Sequence, residues 1–331
     1  ERSAKDRPDH GPDDAAEVFE NLDFASTLFI LVTKSGTTQE TLTNYEMVRK
    51  AMSDSDIKGM DPSKHMVAVT SKTSPLASSK DFLEAFYIDD YIGGRYSSTS
   101  AVGAAVLSIA FGFDTFTQLL QGSHEADQAA LEPQVTRNAA MLDALIGIYL
   151  RNALKLPCTA ILPYSQALSR FPAHLQQLDM ESNGKQVNRE GKSLDYATGP
   201  IIFGEPGTNG QHSFYQLLHQ GTDTVPLQFI GFKRPQRNQD MVTEGSTSQT
   251  KLLANLIAQI VAFARGKKDV NANKQFPGNR YSSLIFGERL TPAALGALLA
   301  HYENKVMFQG FAWNFNSFDQ EGVQLGKILA G

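Results

Sequence analysis

Several stretches of the chain carry side chains with the reach and charge for chemistry. Thr33, Lys34, Ser35, Gly36, Thr37 and Thr38 gather hydroxyls and one cation around a glycine, directly after the apolar run TLFILV. Gly36 permits a tight turn and close approach by a ligand. A helix opening there adds unpaired N–H groups and the positive end of its dipole. Chemically this is a cradle for phosphate or a sugar phosphate. It is not a Walker loop, because the G-x-x-x-x-G-K-[ST] spacing is absent. A plainer alternative stays open, in which Ser and Thr cap a helix and Lys34 points into water.

Arg95 follows Gly93-Gly94 and precedes Ser97 to Ser100, which open an Ala- and Val-rich helix. That helix is apolar nearly all round and is expected to be deeply buried. A buried guanidinium needs an anion, either a protein carboxylate or one formed during a reaction. Gln177 and Glu181 stand at i and i+4 in HLQQLDMESNGK, side by side on a helix. A carboxylate at the end of an element and beside Met180 suits a general base, although most such glutamates are surface residues. His212 and His219, seven apart, are expected on one helical face after the glycine-rich GEPGTNG. Neither forms an H-E-x-x-H array, so no metal site is expected. His212 at a loop-to-helix junction suits acid–base work, and a structural hydrogen bond is its alternative. Lys327, in the tail, reads by itself as a lysine at a helix C-terminus.

The elements that must hold these residues alternate. TLFILV, HMVAVT, AFYIDDYI, CTAILPY, GPIIFGE and TVPLQFIGF have strand composition, with helical patterns between them, the first from about Thr37 to Met52. Strand–helix alternation predicts an α/β fold with mainly parallel sheets flanked by helices. A helical stretch from about 113 to 154 reads as a bridge between two α/β domains, and the tail FDQEGVQLGKILAG as a final helix. The expected divisions are 1–112, 113–154, 155–305 and 306–331. Ligands of such sheets bind beyond the carboxyl ends of the strands, and the candidate residues lie after strands.

The bulk properties narrow the classes. At 331 residues the length suits two domains, and the net charge of −5 gives no general attraction to nucleic acid. No apolar run reaches the ~20 residues of a membrane span, and ERSAKDRPDHGPDDAAE has no secretory apolar region. The single cysteine, Cys158, lies in LPCTAIL and reads as a buried structural thiol. These features point to the cytoplasm.

With those residues in view, the chain closely resembles the glucose-6-phosphate isomerase (phosphoglucose isomerase) family, from about Ala15 to Lys327. DYIGGRYSSTSAVG and GFAWNFNSFDQEGVQLGK are the most specific motifs, with HLQQLDMESNGK and EPGTNGQHSFYQLLHQGT close behind. The resemblance implies two sugar-isomerase domains. It also implies interconversion of glucose 6-phosphate and fructose 6-phosphate through a cis-enediolate, in glycolysis and gluconeogenesis, without cofactor or metal. Thr33 to Thr38 would be the phosphate cradle and Glu181 the base between C2 and C1. Arg95 would face the developing enediolate, while His212 and Lys327 would open and close the sugar ring. Gln177 and Gln320 would contact substrate, and Glu40 would orient the histidine. The resemblance further implies a homodimer in which His212 crosses to the neighbouring subunit. One departure is that the family's earlier glycine- and serine-bearing phosphate loop has no counterpart before Thr27. The chain is therefore expected to be a C-terminal portion of a longer protein or a shortened homologue, with weak or absent activity alone. The alternative function is a non-catalytic phosphosugar-binding module.

Overall fold

The computed structural model describes residues 12–323 together with 325, 326 and 329. Two compact units divide between Gln118 and Leu119.

The first unit begins with helix α1 (Pro12–Glu20) and strand β1 (Phe29–Val32), followed by α2 (Gln39–Ser53), β2 (Met66–Thr70) and β3 (Glu84–Tyr87). The strands form a three-stranded parallel sheet in the order β1-β2-β3. β2, MVAVT, is buried along its whole length, as a central parallel strand covered on both faces must be. Tyr45 and Met52 of α2 pack on Met66, Ala68 and Phe82, which seats the helix that follows the hydroxyl loop. A 3-10 turn over Gly94–Thr99 leads into α3 (Ala101–Phe111), whose first amides are capped by Ser100. α3 departs from the expectation of deep burial. Among its described residues Gly103 and Ala105 are buried, whereas Phe111 is 65% exposed. An all-apolar helix needs cover on every side, and within this unit α3 packs on the strands and the preceding 3-10 turn.

α4 (Phe113–Ala130) runs through the division between the units, and α5 (Ala139–Ile148) continues as a π-turn over Tyr149–Ala153. The second unit adds β4 (Cys158–Pro163), α6 (Phe171–Leu175), β5 (Ile201–Phe203), α7 (Tyr215–Gln220) and β6 (Leu227–Phe232). A small hairpin, β7 (Val242–Thr243) with β8 (Ser246–Thr247), precedes α8 (Ser248–Arg265), β9 (Ser282–Gly287) and α9 (Pro292–Ala312). The parallel sheet is four-stranded, ordered β5-β4-β6-β9. Its core joins Leu162, Tyr164 and Phe229 to Leu256 and Phe263 of α8. α9 passes without a break through position 305, where the sequence suggests a division. Among the described residues no helix is long and apolar enough to cross a membrane.

Candidate active site

In the first unit, the loop after β1 is closed on itself by hydroxyls. Thr33 is 5% exposed, and its Oγ1 accepts from the Gly36 N–H at 3.2 Å and lies 3.2 Å from Thr38 Oγ1. Ser35 Oγ accepts from the Thr37 N–H at 3.2 Å and from Thr37 Oγ1 at 2.9 Å. Gly36 has φ +67°, and a Cβ there would come 2.2 Å from Ser74 Oγ. Conformation and space both demand glycine. Lys34 Nζ donates to the carbonyls of Asp90 (2.8 Å) and Ile92 (3.0 Å), so its ammonium ties this loop to the one after β3 rather than only facing water. Thr38 is the N-cap residue of α2 but makes no side-chain capping bond. Its hydroxyl turns toward Thr33 instead. Glu40 is exposed in the first turn of α2, where the helix dipole favours an acid. Arg95, in the 3-10 turn, is 3% exposed, with its guanidinium carbon 5.4 Å from the centre of the Tyr96 ring.

In the second unit, α6 runs into a π-turn over Gln176–Glu181. Wider i→i+5 winding of this kind is rare and concentrates at functional sites. Leu178 and Asp179 face the interior, while Gln176 and Gln177 are exposed. Two bonds moor the turn to β5. Gln176 Nε2 donates to the Ile202 carbonyl at 3.0 Å, and the Ile202 N–H donates to Met180 Sδ at 3.5 Å. Beneath it, Asn183 Nδ2 donates to Asp179 Oδ1 (3.2 Å) and to Gln309 Oε1 (3.1 Å) on α9, and Ser317 Oγ donates to Asn183 Oδ1 (3.0 Å). Burial pushes the Asp179 carboxyl up to about 6, against the lowering effect of Lys305 and the Asn183 bond.

The outer face of the turn borders a cavity of about 930 Å³, lined by Gln177, Glu181, Lys185, Asn316, Asp319 and Gln320 among others. Three of the residues singled out from sequence, Gln177, Glu181 and Gln320, thus meet in one space. Glu181 ends the π-turn and is half-buried, so its carboxylate belongs to a defined element beside a cleft. Lys185, Asn316 and Asp319 were not singled out from sequence. Lys185 and Asp319 lie inside the motifs that suggest the family, and Lys185 stands four residues after Glu181.

His212 ends a 3-10 turn over Asn209–His212, is exposed, and is not among the residues lining that cavity. It does not share a helix with His219, as the seven-residue spacing suggests. The 3-10 turn stops before α7 begins at Tyr215. His219 is structural: its ring stacks on Phe263 with centroids 3.7 Å apart and bonds Gln259 at 3.0 Å, and burial lowers its pKa. Cys158 is half-buried against the core at the start of β4, and burial pushes its thiol up, away from thiolate. Lys327 lies outside the described residues. No group of three or more His, Cys, Asp or Glu suited to a metal occurs among the described residues.

Comparison with known proteins adds to this geometry. The family profile described as phosphoglucose isomerase matches residues 10–331. A glucose-6-phosphate isomerase of Treponema denticola is 66% identical over 319 residues, covering 96% of this chain and 60% of its own length. The Chlamydia caviae protein of the same name is 54% identical, with 96% and 60% covered. The crystal structure of a glucose-6-phosphate isomerase from Chlamydia trachomatis D/UW-3/Cx superposes with a TM-score of 0.94 at 51% identity, covering 97% of this chain and 62% of that one. The chain thus spans about 60% of the length of the curated relatives it matches. By profile, sequence and backbone alike, the chain belongs to the phosphoglucose isomerase family.

Proposed function

We propose that this chain carries the isomerase chemistry of its family, interconverting glucose 6-phosphate and fructose 6-phosphate through ring opening and a cis-enediolate. The observation that supports it most is the meeting of Gln177, Glu181 and Gln320 at one cavity, with Glu181 at the end of a moored π-turn. In this reading the Glu181 carboxylate takes the proton from C2 of the open aldose. The C–H electron pair forms the C1–C2 double bond, and charge grows on the former carbonyl oxygen. Arg95 is the fixed cation for that charge. The O2 proton passes to O1, so that the C2–O bond becomes the carbonyl, and the glutamic acid returns its proton to C1, giving the ketose. One face of a planar enediol presents both carbons to the same carboxyl.

The hydroxyl loop Thr33 to Thr38 is the proposed phosphate cradle, and remote binding energy of this kind orients the reacting carbons. His212 and Lys327 are assigned to ring opening, with Glu40 supporting the histidine. His212, exposed on its own unit, suits donation to a second copy of the chain in a homodimer. This reading sets the protein in the cytoplasm, with the sugar phosphates of glycolysis.

A coupled assay that measures glucose 6-phosphate formed from fructose 6-phosphate tests the proposal. Turnover by the wild-type chain, however slow, should fall about 10²- to 10⁴-fold in Glu181→Gln. Equal turnover by the two would remove Glu181 as the base. No turnover by either, with a sugar phosphate still raising the melting temperature, would favour the binding-module alternative.

A further inference from the structure

Lys185 lines the Glu181 cavity as a largely buried cation, its side chain 13% exposed. An ammonium has three hydrogens to donate. Those of Lys185 have three oxygens in reach: the Glu181 carbonyl at 3.2 Å, the Asp319 carbonyl at 2.8 Å and Asp319 Oδ1 at 2.6 Å. The first acceptor is a carbonyl in the last turn of the helix that bears the base, where main-chain oxygens lack helical partners. The other two belong to the segment over 316–321, which carries Gln320 to the same cavity.

We infer that Lys185 is a positioning residue for the isomerisation, acting as a clamp that fixes the distance between the Glu181 turn and the Gln320 segment. With its hydrogens committed to protein oxygens, Lys185 is not a docking point for the substrate phosphate. Its value lies in geometry. A charge-assisted bond at 2.6 Å to a half-exposed aspartate, reinforced by two carbonyl bonds, restrains two walls that a substrate must touch together. Below the clamp, Ser317 Oγ bonded to Asn183 Oδ1 makes a second tie between the same two segments. Without the ammonium, the 316–321 segment keeps that lower tie and stays near the turn. The edge where Glu181 and Gln320 line the cavity loses the tie that Lys185 supplies. Small displacements of a base from its target cost large factors in rate.

This inference rests on the reading of Glu181 as base, so the experiment carries a control for it. Wild type, Lys185→Met, Lys185→Arg and Glu181→Gln are assayed on fructose 6-phosphate well below their melting temperatures. Amide hydrogen exchange is followed across 316–323 in the same proteins without substrate. The expected result is a fall in kcat of about 10- to 100-fold for Lys185→Met with KM changed less than about 3-fold. Exchange over 316–323 should be at least ~10-fold faster while the β4–β6 core is unchanged. Lys185→Arg, which keeps charge and donors, should recover most of both losses.

Lys185→Met with wild-type kcat, beside an inactive Glu181→Gln, would overturn the clamp and leave the base in place. A loss confined to KM, or exchange no faster than in the wild type, would overturn it equally. Wild type and Glu181→Gln turning over alike would remove Glu181 as the base and this inference with it.

Discussion

Glu303, on α9, is an acid held in an unfavourable place. Its Oε1 is sealed from water and has no hydrogen-bond partner among the described residues. Burial, with some help from the charge of Asp127 on α4, raises its carboxyl from 4.5 to about 7. Between those values the folded chain binds a proton that the unfolded chain has released. Stability therefore falls as pH rises through this window, and the full penalty is present above pH 7. Glu303→Gln keeps the shape and removes the titration. It should be more stable than the wild type by about 1–3 kcal/mol at pH 8, the difference shrinking toward pH 5. Urea melts of both proteins at the two pH values check this, and an equal difference at both would contradict it. The comparison cancels the similar contribution of Asp179, raised to about 6. At this scale the spacing of Gln177 and Glu181 was legible in the sequence, whereas the role of Glu181 as base came only from the resemblance to the family, its immediate surroundings reading as those of most surface glutamates. Lys185 was not legible, since a lysine's partners are set by a segment more than a hundred residues away. Lys34 was half legible: its place in the loop was evident, and its carbonyl partners after β3 were not.

The π-turn and the exit behind it form the element on which the base depends. Gly184 ends that helix, its N–H bonded to the Met180 carbonyl at 3.0 Å, and a Cβ there would stand 2.4 Å from the same oxygen. That neighbour is main chain and cannot swing aside. Gly184→Ala should lose about 1–3 kcal/mol, the usual cost of overpacking, and should lower turnover on fructose 6-phosphate further than the unfolded fraction explains. Denaturant melts beside the coupled assay separate the two effects, and a variant matching the wild type in both would show that the exit tolerates a side chain. Most elements were readable from apolar runs. LQFIGF and the interior part of CTAILP are buried on both faces and announce themselves. β9, SSLIFG, alternates exposed and half-buried residues at the sheet edge, and that weaker pattern gave no clear signal. The π-winding was invisible, since it leaves the helical residue types unchanged. For α3, composition stated a demand for burial without saying which surface would meet it.

Across the second unit, one buried carboxylate joins three elements. Asp143 of α5 accepts from Lys305 Nζ (3.2 Å) and lies 3.1 Å from His301 Nε2, both on α9, and it accepts from Gln228 Nε2 (3.0 Å) on β6. Tyr302 O–H completes the set by donating to Gln228 Oε1 at 2.6 Å. Burial alone would raise the Asp143 carboxyl, but Lys305, His301 and the Gln228 bond overcome it and hold the group well below the carboxylate range. The depressed group stabilises the fold above its unfolded value near 3.8, and that contribution drains away as pH falls below it. The pair contributes more through what its breakage costs than through net attraction, because a lone buried charge has nowhere to go. Lys305→Met should therefore cost about 3–5 kcal/mol at pH 7, whereas Asp143→Leu with Lys305→Met should cost clearly less. Lys305→Met also removes the main cation opposing Asp143's burial, so its deficit relative to the wild type should narrow on acidification toward pH 3. Urea midpoints of the three proteins at pH 7 and pH 4 test the assignment. A Lys305→Met variant as stable as the wild type would mean that the Lys305–Asp143 pair adds nothing to the joining of α5 and α9.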